Sequence, residues 1–348
     1  MIDLRSDTVT KPTPGMLAAM SQAKVGDDVI DVDPTTRLLE ETIADMLGKE
    51  DAIFMPSGTM TNQVGIRLHC GPGDEFLCEY DCHIYTYEQG GFAQLSQLVA
   101  HTVVGDECLL NVALLRNRIR PENNHCVRTK LVCLENTHNR GGGRIHPLNQ
   151  VSEICDWAHS HQLKTHLDGA RLFNAAVATK ISERDWCRGF DSVSVCFSKG
   201  LGAPVGSCLV GTKEYIRRAK RARKLFGGGM RQSGFLAAAA LYGLEHQRDR
   251  LAEDHANAQL IAEAIQATSK LSLASPTVDT NIVIVKLDES LGTATDFVKE
   301  LASNGVAALT FGPRSIRLVT HLDVDCEQVR QACQILMALA SKNLSSSS

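Results

Sequence analysis

Short apolar runs separated by stretches of helical periodicity constrain the fold of this sequence more than any other feature. The runs read DAIFMPSG, EFLCEY, KLVCLENT, KTHLDGA, SVSVCFS and GSCLVGT. Strands that alternate with helices along a chain are typical of a mainly parallel sheet covered by helices. The best-signalled helix follows Asp33, which can cap it; Pro34 suits its first turn and Gly48 can end it. The sequence therefore predicts an α/β fold with a large, mainly parallel sheet.

The pattern changes near residue 246, which indicates a second and smaller unit. A predicted helix over residues 254–267 leads to the apolar runs TNIVIVKL and SIRLVTHL, with helical stretches between and after them. These elements predict a smaller C-terminal α/β domain that folds back on the first. The predicted organisation is an extended N-terminal segment at 1–15, a large domain at 16–245, a small domain at 246–342 and a disordered tail at 343–348.

The composition argues against several classes of partner. The 348 residues carry a formal net charge of -4, which gives no reason to expect nucleic acid or an acidic membrane as partner. No apolar stretch is long enough to span a bilayer, and the N-terminal residues lack the apolar region of a secretory signal. The 12 cysteines are scattered, and CEYDCH, the nearest approach to a metal cluster, has no second pair at zinc-site spacing. We therefore expect reduced thiols and a cytoplasmic protein.

The segment DSVSVCFSKGLGAPVGS places one lysine, Lys199, directly after an apolar run. Residues 193–197 predict a buried strand, and the glycines at 200, 202 and 206 allow backbone or a ligand to approach closely. A lysine tip that loses water has a lowered pKa, and a neutral amine is a nucleophile toward carbonyl carbon. The alternative is a lysine at a strand end that reaches back to solvent. Other segments of the sequence are needed to choose between a reactive and a solvated Lys199.

Two further segments carry chemistry of a related kind. PSGTMTNQ follows a predicted strand, so Ser57, Gly58 and Thr59 open a helix whose free N–H groups suit a phosphate. Ordinary helix capping is the alternative for this segment. In KTHLDGAR, Asp168 ends a predicted strand and can bind a protonated ring nitrogen, and Arg171 can bind a carboxylate. A structural pair between these two side chains is the alternative.

A histidine completes the set. His83, in YDCHIYTYEQGG, can stack on a ring or move a proton near neutral pH, although a buried structural histidine fits equally well. One cofactor uses an anion cradle, a carboxylate, an amine and an imidazole together, and that cofactor is pyridoxal phosphate. A nicotinamide or nucleotide site lacks its glycine-rich motif here, and a serine hydrolase lacks G-x-S-x-G. The residues therefore predict a pyridoxal-phosphate enzyme.

Eight motifs spread over nearly the whole chain identify a family. They are IDLRSDTVTKPT, VGDDV, PSGTMTNQ, ENTHN, HLDGARLFNA, SKGLGAPVGS, GGGMRQSG and RLVTHLD. With them the chain resembles the low-specificity L-threonine aldolases, also called L-allo-threonine aldolases. The resemblance implies pyridoxal-phosphate fold type I, the aspartate-aminotransferase-like fold, with a large mainly parallel sheet domain and a smaller C-terminal α/β domain.

The resemblance also implies a role for individual residues. Lys199 would form the aldimine with the cofactor, Asp168 would hold the ring nitrogen, and His83 would stack on the ring. The residues expected around the cofactor are Ser57, Gly58, Thr59, His83, Asp168, Arg171, Lys199, Lys224 and Arg231, of which Lys224 and Arg231 would come from a neighbouring subunit. The residues expected to hold the substrate carboxylate are Ser6, Arg171 and Arg317. The expected catalytic residues are Lys199, His83 and His125.

The implied reaction cleaves L-threonine, L-allo-threonine and related β-hydroxy-α-amino acids reversibly into glycine and an aldehyde, through the Lys199 aldimine and a glycine quinonoid. The carboxylate contacts would place the Cα–Cβ bond perpendicular to the cofactor ring. His83 and His125 are the two candidates for the base that takes the β-hydroxyl proton. The alternative enzyme is a β-eliminating lyase or dehydratase acting on a 3-hydroxy amino acid. The alternative outside enzymes is a cofactor-binding protein that has lost activity.

Three expectations remain from the resemblance. The family suggests a homotetramer, arranged as a dimer of dimers with shared active sites. It also suggests a structural cation such as calcium or sodium at Thr8, Thr10, Ser198 and Ala203. Family members commonly carry an aromatic residue and a glycine after GDDV, where this chain has Ile30 and Asp31. The loop therefore lacks a ring and a hydroxyl that could contact the substrate.

Overall fold

The structure, a computed structural model, describes residues 1–341 of the chain, so the tail predicted at 343–348 lies outside the described residues. The strands are β1 (Ile2–Asp3), β2 (Asp51–Met55), β3 (Asp74–Glu79), β4 (Val99–Val103), β5 (Arg128–Glu135), β6 (Lys164–Gly169), β7 (Ser192–Cys196), β8 (Ser207–Gly211), β9 (Leu271–Leu273), β10 (Ile282–Leu287), β11 (Val306–Ala307), β12 (Leu309–Gly312) and β13 (Ser315–Val319). The α-helices are α1 (Pro14–Ser21), α2 (Pro34–Met46), α3 (Gly58–His69), α4 (His83–Thr86), α5 (Gly91–Ser96), α6 (Val112–Leu115), α7 (Leu148–Ser160), α8 (Leu172–Thr179), α9 (Glu183–Cys187), α10 (Lys213–Leu225), α11 (Gly234–His246), α12 (Leu251–Gln266), α13 (Ala294–Ser303) and α14 (Cys326–Ser341). Short 3-10 helices lie at Asp7–Val9 and Glu289–Leu291.

Seven strands form the large sheet, in the order β2-β8-β7-β6-β5-β3-β4. Strand β8 runs antiparallel to its neighbours β2 and β7, and the other neighbouring strands are parallel. All six apolar runs of the sequence are strands of this sheet, which confirms the prediction of a mainly parallel α/β fold. The strand predicted at residues 193–197 begins one residue earlier, because its pairing with β6 starts at Ser192 opposite His166.

Helix α2 forms where its sequence signals place it. The carboxylate of Asp33 accepts a hydrogen bond from the backbone N–H of Thr36 at 2.9 Å, and Pro34 occupies the first turn. Gly48 follows the helix with a φ of 65°, a left-handed conformation that favours glycine at a helix end. The same Asp33 carboxylate accepts a hydrogen bond from the N–H of Gly234 at 3.1 Å. The cap therefore also ties α2 to the start of α11.

The smaller unit is built on a four-stranded antiparallel sheet, in the order β12-β13-β10-β9. Helix α12 begins three residues before the predicted start at residue 254. Strand β1 pairs in parallel with β11, and Leu4 is fully buried in the same core as Phe297 and Leu336. The first residues of the chain thus pack with its last third. The domain boundaries drawn from the sequence stay predictions.

Most of the cysteines are buried in the core. All 12 are free thiols and eight of them are buried, as expected for small apolar side chains. Cys196 is one of the eight and accepts a hydrogen bond from the Ser207 hydroxyl at 3.2 Å. Within residues 1–341, none of the helices combines the length and the apolar character that a membrane span requires.

The parallel strands carry polar side chains to one edge of the large sheet. Glu135 at the end of β5 lies beside Asp168 of β6, and Asp168 lies beside Ser194 of β7. Lys199 follows the end of β7 by three residues. Open α/β sheets bind ligands at the carboxyl ends of their strands, so the fold brings the predicted site residues to the expected edge.

Candidate active site

A cavity of about 320 Å³ opens at this edge, between the large sheet and strand β12 of the smaller unit. Five residues expected to bind cofactor or substrate, or to act in catalysis, line it, namely Ser6, His83, Arg171, Lys199 and Arg317. Thr8, Tyr87 and Asn139 contribute to the same wall. The N-terminal segment, the large sheet and the small sheet therefore meet in one cavity.

Lys199 lies in the turn after β7 and is half-buried. The N–H of Gly202 donates to the Lys199 carbonyl at 2.8 Å and closes this turn. Gly202 has a φ of 73°, a conformation that favours glycine. Among residues 1–341, the Lys199 ammonium has no hydrogen-bond partner. The amine thus lines the cavity, whereas the alternative drawn from the sequence would place it in bulk solvent.

Asp168 is buried at the end of β6, and neutral donors hold both of its oxygens. The side-chain amide of Asn62 on α3 donates to one oxygen at 2.8 Å, and the N–H of Ala170 donates to the other at 3.1 Å. The predicted alternative of a structural pair with Arg171 is wrong, because Arg171 binds Asp7 instead. Among residues 1–341, the Asp168 carboxylate therefore has neutral donors and no cationic side chain bound to it.

His83 is held from two sides at the start of α4. Its backbone N–H donates to Glu135 at 2.6 Å, and its ring Nδ1 lies 2.9 Å from an oxygen of Glu88. Burial alone would lower the pKa of His83, but the Glu88 hydrogen bond and the charges of Asp168 and Glu135 raise it above its ordinary value. The ring lies 5.5 Å from that of Tyr87, centroid to centroid. The imidazole is thus fixed in the cavity wall, and its pKa lies above the ordinary value.

A buried ion pair fixes Arg171. Its Nε and Nη2 donate to the two oxygens of Asp7 at 2.7 Å each, and Asp7 is fully buried. Burial alone would raise the pKa of Asp7, but the charge and hydrogen bonds of Arg171 hold it well below its usual range. The amide of Asn281 donates to the same carboxylate at 3.2 Å. Asp7 therefore neutralises Arg171 and leaves only Nη1 of the guanidinium free of this pair.

Arg317 on β13 has no such counter-ion among the described residues. It donates to the side-chain oxygen of Asn139 at 3.0 Å and to the carbonyl of Arg5 at 3.3 Å, and its buried Nε has no partner. Burial and the charge of Arg171 lower the pKa of Arg317. The same Asn139 oxygen lies 3.5 Å from Nη1 of Arg171. This wall of the cavity carries a net positive charge and suits a carboxylate.

The start of α3 has the properties of a phosphate cradle. The Ser57 hydroxyl accepts a hydrogen bond from the N–H of Met60 at 3.2 Å, so the capping alternative holds for that side chain. The N–H groups of Gly58 and Thr59 have no partner among residues 1–341. A Cβ on Gly58 would lie 2.7 Å from the sulfur of Cys196, so only glycine fits there. Free N–H groups at a helix start bind anions, and the cradle fits the phosphate of the expected cofactor.

Three of the expected residues are exposed and lie outside the cavity of this chain. His125 is exposed in the loop before β5, and its N–H donates to the side chain of Asn123 at 2.9 Å. Lys224 is exposed at the end of α10, beside an open depression of about 770 Å³ that also includes Arg218. Arg231 is exposed and pairs with Asp27 at 2.9 Å. Their roles, two of which were expected at a subunit boundary, stay predictions.

The residues expected to bind a cation are spread around the N-terminal segment and the lysine turn. Thr8 donates from its hydroxyl to Ser6 at 2.8 Å, and Thr10 donates to the Asp7 carbonyl at 3.2 Å. Ala203 donates its N–H to the carbonyl of Phe197 at 3.1 Å. These contacts do not bring the three residues and Ser198 around a common point, so the cation stays a prediction.

Sequence reasoning missed four residues that hold the site together. They are Asp7, Asn62, Glu88 and Asn139. Asp7 and Asn139 stand in IDLRSDTVTKPT and ENTHN, so their motifs could have drawn attention to them. Asn62 and Glu88 also stand in quoted segments, PSGTMTNQ and YDCHIYTYEQGG, but their partners lie 106 and 26 residues away in the chain, so local spacing does not indicate what they contact.

The fold compares closely with that of a solved relative. The structure of Leishmania major threonine aldolase matches with a TM-score of 0.84 and 20% identity, over 98% of this chain and 100% of that one. The protein therefore has the aspartate-aminotransferase-like fold, which is fold type I of the pyridoxal-phosphate enzymes.

Sequence comparison narrows the class to a family. Residues 3–290 match the family described as beta-eliminating lyase. The low specificity L-threonine aldolase of Escherichia coli K12 is 42% identical over 95% of this chain and 97% of its own length. Low-specificity L-threonine aldolase 1 of Arabidopsis thaliana is 40% identical over 94% of this chain and 93% of its own length. The chain belongs to the low-specificity L-threonine aldolase family, as its motifs predicted.

Proposed function

We propose that this protein is an aldehyde-lyase that cleaves L-threonine and L-allo-threonine to glycine and acetaldehyde, and joins them in reverse. The observation that carries the proposal is the cavity itself. It is lined by both Lys199 and Arg317, and Arg317 is a cation with no carboxylate partner among the described residues. An α-amino acid offers a carboxylate for the cation and an amino group near the lysine. Relatives that are 40–42% identical bear the name of this activity.

Pyridoxal phosphate fits the residues present. Lys199 would bond to it, Asp168 would accept from its ring nitrogen, and the N–H groups of Gly58 and Thr59 would hold its phosphate. When bound, it supplies a carbon that bonds an amine and a ring that accepts the electrons of a bond broken at Cα. His83 lines the cavity and Ser57 caps α3 beside Gly58, and we assign both to the cofactor's surroundings.

The arginines of the cavity determine how the substrate sits. Arg317 and the free Nη1 of Arg171 flank the Asn139 oxygen, and Ser6 adds a hydroxyl to the same wall. A carboxylate bound there is oriented in two directions, because each guanidinium donates in its own plane. The Cα–Cβ bond is then fixed relative to Asp168 and Lys199, and this orientation selects it for cleavage.

A base must take the proton of the β-hydroxyl as the Cα–Cβ bond breaks. His83 lies in the cavity wall, whereas His125 is exposed in this chain. We assign the proton to His83, directly or through a water, with His125 as the alternative if a subunit contact or loop movement brings it in. The aldehyde then leaves, and Cα receives a proton to give glycine.

Product analysis tests the reaction. Aldol cleavage of L-threonine yields glycine and acetaldehyde in equal amounts, whereas β-elimination yields ammonia and 2-oxobutanoate. The purified protein is incubated with pyridoxal phosphate and with L-threonine or L-allo-threonine, and all four products are measured. Glycine without ammonia supports the proposal; ammonia without glycine would assign the chain to β-elimination instead. Lys199→Ala serves as the control, because it removes the visible absorbance of the lysine–cofactor bond.

We further infer a homotetramer in the cytoplasm, a shared active site and a cation near the lysine turn. The exposed Lys224 and Arg231 support sharing, since both are basic and lie outside their own cavity. Each site would then use Lys199 of one chain and Arg231 of the other. A mixed dimer of inactive Lys199→Ala and inactive Arg231→Ala has one site in which both residues are intact, so mixing the two variants restores some activity. Hybrids proven by mass spectrometry but without activity would overturn this arrangement.

A further inference from the structure

Glu88 is a buried carboxylate surrounded by neutral amides and a single histidine. One of its oxygens accepts from the Asn62 amide and lies against His83 Nδ1, at 2.9 Å each. The other oxygen accepts from the Gln63 amide at 2.5 Å. Within residues 1–341, His83 is the ion-pair partner of Glu88 and neither lysine nor arginine lies at that distance. A buried negative charge requires a positive partner or strong donors, and His83 is the group that can become positive.

The hydrogen bonds around Glu88 fix the direction of each amide. Asn62 donates both of its protons, one to Glu88 and one to Asp168, so its oxygen faces away from the two carboxylates. That oxygen lies 3.2 Å from Nε2 of His166, which can donate to it. Flipping the Asn62 amide would turn an oxygen toward two carboxylates, so the chemistry allows one orientation. Glu88 is thereby held in place independently of His83.

A carboxylate at Nδ1 determines the protonation of the His83 ring. Both Glu88 oxygens accept hydrogen bonds from amides, so the hydrogen bond to His83 takes its proton from Nδ1, and Nε2 is the nitrogen that gains or loses one. The charged groups that face His83 are Glu88 from the segment after α4, Asp168 from β6 and Glu135 from β5; Lys199 lines the same cavity. Three carboxyl groups therefore face the His83 ring, while Arg171 and Arg317 lie on another wall of the cavity.

We infer that Glu88 is a positioning residue for His83: it selects the Nδ1–H tautomer, orients the ring and makes Nε2 the proton-accepting nitrogen of the site. The inference deepens the proposed function, since it names the group that gives His83 its basicity. Asn62 and Gln63 complete the arrangement by holding the Glu88 carboxylate against the ring. Glu88 acts on His83 and not on Asp168, because the Asp168 carboxylate accepts its own hydrogen bonds from Asn62 and Ala170.

The substitution Glu88→Gln removes the charge with little change of shape. The new amide can accept from Asn62 and His83 through its oxygen, and it must then donate toward Gln63. The oxygen of Gln63 is buried and has no partner, so a flip of the Gln63 amide provides the acceptor that the new donor needs. Glu88→Gln can therefore keep a hydrogen bond to each of Asn62, Gln63 and His83 while it loses the negative charge.

Histidine NMR on the full chain provides the test. Protein labelled with 15N and 13C in histidine is titrated without cofactor and with pyridoxal phosphate, and the His83 signals are assigned by their loss in His83→Gln. We expect the Nδ1–H tautomer in the neutral wild-type ring. Glu88→Gln lowers the titration midpoint of His83 by about one to three pH units, the effect of an opposite charge within hydrogen-bond distance. The acid limb of kcat/KM against pH moves in the same direction.

Glu75→Gln is the matched control. Glu75 is equally buried and lies 3.3 Å from His101 Nδ1, but it sits at the start of β3, away from the cavity. This variant leaves the His83 midpoint unchanged, which separates a local effect from a general loss of a buried carboxylate.

Two results would overturn the inference. One is a neutral wild-type His83 with its proton on Nε2, a measurement that needs no Glu88 variant and stands even if that variant fails to fold. The other is an unchanged His83 midpoint in folded Glu88→Gln. A purely structural Glu88 would lower activity equally at every pH. Because the tautomer and midpoint are read without substrate, failure to form glycine from threonine would refute the proposed function and leave this test intact.

Discussion

Replacing Asp7 by Asn tests the buried pair that anchors the cavity wall. Asp7 is fully buried and accepts two hydrogen bonds from Arg171 at 2.7 Å each, with a third from Asn281. Asp7→Asn leaves the Arg171 guanidinium buried without a counter-ion. Removing one partner of such a pair costs about 3–5 kcal/mol, and we expect the lower end because one acceptor oxygen remains. Equilibrium urea unfolding of the cofactor-free protein at fixed concentration measures this loss at pH 7.

The pH dependence of the loss gives an independent check. Because the pKa of Asp7 is lowered by folding, its stabilisation is present above the ordinary carboxyl pKa and is lost as the pH falls toward the folded value. The difference in unfolding free energy between wild type and Asp7→Asn therefore becomes smaller as the pH falls from 4 to 3. The control is Asp3→Asn, which removes an exposed pair with Arg5 in the same segment and leaves the unfolding curve nearly unchanged. Equal stability of Asp7→Asn and wild type at pH 7 would refute the reasoning.

Three further variants probe other parts of the structure. Arg317→Gln removes the unpaired cation, and we expect the KM for L-threonine to rise about 10- to 100-fold, the range for losing hydrogen bonds to a charged group, while the cofactor absorbance persists. Gly58→Ala places a Cβ against the Cys196 sulfur, so the dissociation constant for pyridoxal phosphate rises, and adding Cys196→Ala restores it. Burial raises the pKa of Glu40 to about 7, so its ionisation destabilises the fold as the pH rises from about 4.5 to 7. Glu40→Gln therefore gains about 3 kcal/mol relative to wild type between pH 4.5 and pH 8, measured by urea unfolding.

Each of the three has a result that contradicts it. An unchanged KM in Arg317→Gln would place the carboxylate elsewhere, and Arg314→Gln, at an exposed pair on the same hairpin, is its control. Normal cofactor affinity in Gly58→Ala would remove α3 from the phosphate site; Gly71→Ala, which has space for a Cβ, controls for the loss of a glycine. A Glu40→Gln stability difference that does not change with pH would mean that Glu40 ionises normally.

Local patterns predicted the elements and many of the site residues correctly. The apolar runs became the strands of the large sheet, and Asp33 caps α2 as its spacing indicated. Lys199 reaches the cavity because it follows a strand whose carboxyl end faces the ligand side. These features depend on residues close together in the chain, where hydrophobic periodicity and capping act directly.

The partners of the site residues were beyond the reach of such patterns. The sequence suggested a pair between Asp168 and Arg171, three residues apart, and the structure pairs Arg171 with Asp7 across 164 residues. Cys196 had no role in the sequence beyond core packing, and the structure sets it against Gly58 at the phosphate cradle. Glu88 stands in the same segment as His83, but the sequence does not show that α3 places Asn62 and Gln63 against it.

The sequence by itself determined the family, the order of strands and helices, and the chemical types gathered in the site. Only the tertiary structure decided which charges neutralise one another: Asp7 with Arg171, Glu88 with His83, and Arg317 with no carboxylate among residues 1–341. The physical reason is that a charge in the interior takes its behaviour from the groups within a few ångströms. Those neighbours come from segments that are distant in the chain and meet only when the sheet, the N-terminal segment and the small unit pack together.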